Sequence, residues 1–163
     1  MVPSRSYHMY LKLLGILLLI LFCNTDSKSQ DATKGSDTTV ALKFINDYVL
    51  FCTKTRSVVN YPKWIKNNKV ATDEFKALYI EMIDAATKDE SAVGLEFDPI
   101  FNAQDFPEKG FSLAQAGDDG YITVKGKGRP EFKTVIKMKS INGKWMVDGA
   151  GVINIPKKKQ VKR

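Results

Sequence analysis

FSLAQAGDDGYITVKGKGRPEFKTVIKMKSINGKWMVDGAGVI, residues 111–153, decides the fold. Phe111, Leu113 and Gln115 alternate with Ser112, Ala114 and Ala116, which is the two-residue period of a strand. Asp118-Asp119-Gly120 makes a tight turn into Tyr121-Ile122-Thr123-Val124-Lys125. Gly126-Lys127-Gly128-Arg129-Pro130 makes a second turn into a strand over 132–139. Asn142-Gly143 is a strong hairpin signal, because both residues tolerate the positive φ of a type I′ turn, and a fourth strand follows over 144–153. Three successive hairpins predict an antiparallel meander with one face packed and the other wet. Gly149 and Gly151 predict a bend or bulge in the last strand.

Upstream the period changes to that of helices. Asp37 is the N-cap of a predicted helix over 37–54, in which Ala41, Phe44, Ile45, Tyr48, Val49 and Cys52 share one face. Leu42, Leu50 and Phe51 widen that face, so the helix is expected to be covered on more than one side. Tyr61-Pro62-Lys63-Trp64-Ile65 reads as a short helical turn with Pro62 at its first position. Thr72 caps a third helix over 73–88, with Asp73 and Glu74 in the first turn, where the helix dipole favours negative charge. Phe75, Leu78, Tyr79, Met82, Ile83 and Ala86 form its apolar stripe. Helices grouped before strands predict an α+β fold, with the helices packed on one face of the sheet. Trp145 in the last strand is expected in the core; Trp64, beside Lys63 and Lys66, is a candidate surface contact.

Outside this body the chain is polar or strongly patterned. Residues 1–12 are weakly basic, and Leu13 to Cys23 is an unbroken apolar run, the pattern of a secretory signal. Lys12 keeps the run short of the ~20 residues a spanning helix needs. Ser27-Lys28-Ser29 places small residues for cleavage before Gln30, whereas Cys23 offers lipidation as the alternative, against the bulky Phe22 before it. The expected organisation is a signal over 1–29, a polar linker over 30–36, one domain over 37–156 and a basic disordered tail over 157–163. The expected location is the periplasm or cell envelope, lipid-anchored through Cys23, or secreted. Cys52 is then the one cysteine of the mature chain, so it can form no internal disulfide, and its apolar setting makes it a small core residue.

The net charge of +7 sits mostly in the tail, in Lys157, Lys158, Lys159, Lys162 and Arg163. Residues 30–156 hold as many acidic as basic side chains. A balanced body carries no nucleic-acid footprint. The tail offers a contact for an anionic surface or serves only to solubilise the chain end.

The candidate site lies between the helices and the meander. In Phe97-Asp98-Pro99-Ile100-Phe101-Asn102-Ala103-Gln104-Asp105, the Asp98 carboxylate is placed to cap backbone N–H groups, with Pro99 next. Phe97, Ile100 and Phe101 are apolar anchors. Asp98, Asn102, Gln104 and Asp105, with Trp64 and Tyr121, are the candidate ligand-binding residues; the alternative is that the polar groups of the connection only satisfy buried backbone. Asp98, Asn102 and Asp105 supply too few oxygens for calcium, and no residue set points to a metal or cofactor. Gly126-x-Gly128 lies in a hairpin rather than before a helix, so it is no phosphate loop. His8 is the one histidine and falls in the signal, which removes the commonest general acid–base and leaves Asp98, Asp105, Tyr79 and Tyr121 as conceivable proton donors or acceptors.

That motif, followed by a strand and ending in Lys144-Trp145-Met146-Val147-Asp148, resembles the DUF3828 family within the NTF2-like (cystatin-like α+β) superfamily. The resemblance covers roughly residues 38–153 and implies an exported bacterial protein, often a lipoprotein, whose helices pack on a curved four-stranded meander. The expected function is a non-catalytic binding module that holds a small ligand or an envelope protein in its cavity or on its sheet face. An inhibitor- or immunity-type protein partner is the alternative, and a lyase- or isomerase-type cavity enzyme comes third.

Overall fold

The computed structural model describes residues 37–55, 61–88 and 95–162, all within one compact unit. The expected signal, its cleavage site, Cys23, the 30–36 linker and Arg163 lie outside the described residues.

Three helices come first. Helix α1 (Thr38–Lys54) is capped as expected, with the Asp37 carboxylate accepting from the backbone N–H of Thr39 at 2.9 Å and Val40 at 3.4 Å. Helix α2 (Tyr61–Asn67) begins one residue earlier than expected, so Pro62 is its second residue. It is still in the first turn, where a missing N–H breaks no helical bond. Helix α3 (Asp73–Lys88) starts at Thr72, whose hydroxyl accepts from Phe75 N–H at 3.1 Å.

Four strands follow: β1 (Phe111–Ala116), β2 (Tyr121–Gly126), β3 (Arg129–Ile141) and β4 (Lys144–Ala150). They form one antiparallel sheet in the order β1-β2-β3-β4. The fold class is α+β, and the meander is the one the turn residues predict. Asn142 and Gly143 both have positive φ, at 51° and 75°, as a type I′ turn requires.

The irregularity expected in the last strand is a bulge at Asp148. Lys137 pairs with Gly149 and Met138 with Val147, leaving Asp148 as the extra residue. A bulge re-aims a side chain, and this one turns Asp148 inward to 1% exposure. There it accepts from the Thr72 hydroxyl at 2.8 Å, from Lys137 Nζ at 2.8 Å and from Asn154 Nδ2 at 3.2 Å, with Lys139 Nζ at 4.0 Å. Strand β4 then stops at Ala150 rather than continuing to Ile153. Gly151 (φ 62°) reverses the chain, and Ala150 and Ile153 exchange backbone hydrogen bonds across the turn.

Register places Ile122 opposite Ile136 and Val124 opposite Thr134 on the buried face, with Tyr121, Thr123 and Lys125 on the other. Helix α1 lays Phe44, Ile45, Tyr48, Val49 and Cys52 into that core, so Cys52 is the small buried hydrophobe its setting predicts. Each of the fully covered phenylalanines contributes roughly 1.5–3 kcal/mol by leaving water. The open edge of β4 is closed by residues 70–72: Thr72 N–H donates to Val147 O at 2.9 Å and Val147 N–H to Val70 O at 2.8 Å, in a parallel bridge. Trp145 is part-covered against the core.

Two expectations change. The stripe of α3 is buried only at Phe75 and Tyr79; Leu78 is 36% exposed, and Met82, Ile83 and Ala86 are only part-covered. Ile83 packs in part against the core and, with Ala86, also lines a pocket. The tail is also not the disordered end its composition predicts. Lys157–Lys159 form a short 3-10 helix, Gln160 Nε2 donates to Ile155 O at 2.8 Å, and Asn102 Nδ2 donates to Val161 O at 3.2 Å. The Lys159 ammonium pairs with the Asp119 carboxylate and lies 4.7 Å from the Tyr121 ring centroid. An ion pair and a cation–π contact therefore draw the segment back along the molecule, a partnering that composition alone does not show.

Candidate functional site

The site is built on the turn that Asp98 and Pro99 open. The Asp98 Oδ1 accepts from the N–H groups of Ile100 at 2.8 Å and Phe101 at 2.9 Å, the capping role read from the motif. Asp98 N–H donates to Ala103 O at 2.8 Å, closing the loop on itself. Ile100 and Phe101 are completely buried beneath it. The sheet holds the turn in place: Val152 N–H donates to Pro99 O at 3.0 Å and the Thr134 hydroxyl to Ile100 O at 3.1 Å. Gly151 makes this approach feasible. A Cβ there would stand 2.1 Å from Pro99 O and 2.5 Å from Ile100 O.

The other carboxylate oxygen of Asp98 accepts from the Tyr48 hydroxyl at 2.6 Å. Around this pair stand Cys52, Tyr61 and Tyr79, which interact electrostatically with Asp98 and with one another. Tyr48 comes from α1, Tyr61 from α2 and Tyr79 from α3, so three helices converge on one carboxylate. Asp98 as a residue is only part-covered, because it opens on a pocket, yet its carboxyl group is enclosed by protein. Burial therefore pushes its pKa above the ordinary carboxyl range, opposed by the Tyr48 hydroxyl and the two backbone donors. Burial is also the leading cause that pushes Cys52 and Tyr61 up to about 12 each and raises Tyr48 and Tyr79 further, with the Asp98 charge adding to it. All four stay protonated near neutral pH.

The pocket beside this cluster has a volume of about 490 Å³, within the range of small-molecule sites. Its walls are the start of α2, the second half of α3 and the 95–106 connection; Ile83, Ala86, Leu95, Phe97 and Phe106 supply apolar surface. Tyr61, Tyr79, Asp98 and Gln104 bring the polar groups, with Glu96 also on the wall. Among the described residues the buried Tyr79 hydroxyl has no hydrogen-bond partner; Tyr48, with which it interacts, donates its own proton to Asp98.

Of the six residues expected to bind a ligand, two meet here. Asp98 and Gln104 line the pocket. Asn102 instead has φ 55° and holds the tail through Val161. Asp105 is exposed and pairs with Arg129 at 2.9 Å. Trp64 is half-buried rather than free on the surface, packed against Phe44 (5.7 Å), Tyr48 (5.0 Å) and Phe51 (5.7 Å). Its outer edge lines a shallow groove with Lys43, Lys54, Lys63 and Lys69. Tyr121 lies on the far face of the sheet under Lys159. The sequence reading left out Tyr48 and Tyr61 and gave Tyr79 no partner. The signal was present: tyrosines on core-facing positions carry hydroxyls that need partners inside the protein. Among the described residues no group of three or more His, Cys, Asp or Glu is arranged to hold a metal, and no helix is long and apolar enough to cross a membrane.

No family model matches the chain, and no curated protein or solved structure matches it either.

Proposed function

We propose that this chain is a non-catalytic binding module that holds a small molecule in the pocket between α2, α3 and the Asp98 turn. The observation that carries this reading is the pocket itself: about 490 Å³, with Ile83 and Ala86 of α3 in one wall and Asp98, Tyr61 and Tyr79 together at its polar end. Apolar surface that the core leaves part-covered costs stability, and a ligand in the pocket would cover what Ile83 and Ala86 leave open. The helix–meander frame and the D-P-x-x-N-A-Q-D string support the NTF2-like (DUF3828) architecture, and the basic-then-apolar start supports export to the envelope, by cleavage before Gln30 or through a lipid on Cys23. Lys157, Lys158 and Lys162 then remain for an anionic surface, Lys159 being engaged with Asp119.

A protein partner, as for an inhibitor or immunity protein, has less support. The exposed large apolar side chains Leu50, Leu78, Leu113 and Ile141 sit on four different elements, so no single helix or strand presents an apolar face. The raised pKa of Asp98 favours the third reading, a lyase- or isomerase-type proton transfer. The binding reading is preferred because both oxygens of that carboxylate already hold protein donors that fix the turn. The test is extraction of small molecules from the chain isolated from its native envelope, compared with an Ala86→Trp variant that fills the pocket. A bound molecule lost in the variant supports the reading; equal recovery from both removes it.

A further inference from the structure

We infer that the pocket's ligand is uncharged, mostly apolar, and ends in an oxygen that accepts a hydrogen bond from Tyr79, as a ketone, aldehyde or amide carbonyl does. This inference rests on the binding reading above and names the chemical class that the same pocket takes.

Leaving a hydroxyl without a partner costs about 1–3 kcal/mol in proteins, and the Tyr79 hydroxyl has none among the described residues while its ring is fully buried. The neighbouring polar groups do not supply one. Tyr48 donates its proton to Asp98 and stands close enough to interact with Tyr79, but without hydrogen-bond geometry between the two hydroxyls; Oδ1 of Asp98 is taken by two backbone N–H groups. Protonated at neutral pH, Tyr79 is a donor in want of an acceptor, and a carbonyl oxygen at the inner end of the pocket provides it.

Charge narrows the class further. Among the described residues that line the pocket there is no Lys or Arg, whereas Asp98 and Glu96 are there. An anionic ligand would meet carboxylates and no counter-charge, at a cost that low dielectric makes steep. An ammonium group would suit those carboxylates but carries only donors, so it would leave Tyr79 as unpartnered as before. The walls of Ile83, Ala86, Leu95, Phe97 and Phe106 call for a hydrocarbon body. A neutral molecule with one terminal acceptor meets all three requirements.

Four probes of one size separate the classes: acetylnaphthalene, ethylnaphthalene, naphthoate and naphthylmethylammonium, titrated into the full chain by calorimetry. The ketone should bind about tenfold tighter than the hydrocarbon, and both ions should bind more weakly than either. Tyr79→Phe should reduce ketone binding about tenfold, leave the hydrocarbon unchanged, and not lower the melting temperature, since the lost hydroxyl had no partner. If the variant instead melts lower or does not fold, the hydroxyl serves the fold, and the inference fails. Equal binding of ketone and hydrocarbon, or tighter binding of either ion, abolished by Ala86→Trp, overturns the class and leaves the pocket reading standing. No binding of any probe overturns the class for this pocket, and if the envelope extracts of native chain and Ala86→Trp also match, the pocket reading falls with it.

Discussion

Asp98 and Asp148 are both carboxylates turned into the protein, and they are handled in opposite ways. Asp148, at 1% exposure, faces the ammonium groups of Lys137 at 2.8 Å and Lys139 at 4.0 Å, with Thr72 and Asn154 filling its remaining positions. It fastens the cap of α3 to β3 and β4. Among the described residues Asp98 has no cation against it; a tyrosine and two backbone N–H groups are its donors, and a pocket lies alongside. A desolvated charge must be paired or it moves toward neutrality. The first solution makes a structural joint, whereas the second leaves a carboxyl beside a pocket with its charged form disfavoured by burial.

The largest effect should come from breaking the joint. Asp148→Ala is expected to destabilise the domain by about 3 kcal/mol in urea denaturation, at the low end for a broken buried pair, because Lys137 and Lys139 can reach water once released. A loss under about 1 kcal/mol would make Asp148 no more structural than a surface pair. Gly151→Ala should follow at about 2 kcal/mol, since it strains a left-handed backbone and presses a methyl group on Pro99 O and Ile100 O. It also sharpens the contrast, because it shifts the Asp98 turn and should weaken pocket binding while the Asp148 joint persists. Asp98→Ala should cost about 1–2 kcal/mol, the value of a lost cap, and Asp98→Asn much less, since the amide oxygen still accepts from Ile100 and Phe101.

The difference between the two aspartates was partly legible in sequence. Asp98-Pro99 announces a cap, because proline forbids continuing the strand-like backbone bond and a short carboxylate reaches two residues forward. Asp148 gives no such notice: in a strand with strict alternation its position follows from its neighbours, and only the bulge against Lys137 and Met138 turns it inward. Gly149 and Gly151 marked an irregularity there without saying which side chain it would redirect. Helix boundaries and hairpins came through because caps and turn residues are local. The pocket did not, since Tyr48, Tyr61, Tyr79 and Asp98 meet only in three dimensions, and an apolar stripe on α3 looks the same in sequence whether it faces core or cavity. The tail misled for a related reason: its partners Asp119, Tyr121 and Asn102 stand far from it along the chain.

The smallest effect is the most diagnostic, and it concerns pH. Burial raises the native pKa of Asp98 above its ordinary value of 3.8, so between those two values the native state holds a proton that the unfolded chain has released. Stability then falls as pH rises through that window: the contribution is complete below the ordinary carboxyl range and lost above the native pKa. Asp98→Asn removes this titration and leaves the other carboxylates common to both proteins, so that their contributions cancel in the comparison. The urea midpoint of the native chain, relative to Asp98→Asn, should therefore decline from about pH 4 upward and level off once the native carboxyl has ionised. A midpoint difference that rises with pH would mean that Tyr48 and the two backbone donors outweigh burial. Asp98 would then be a stabilised anion serving the fold, and what sets it apart from Asp148 would rest on the pocket alone.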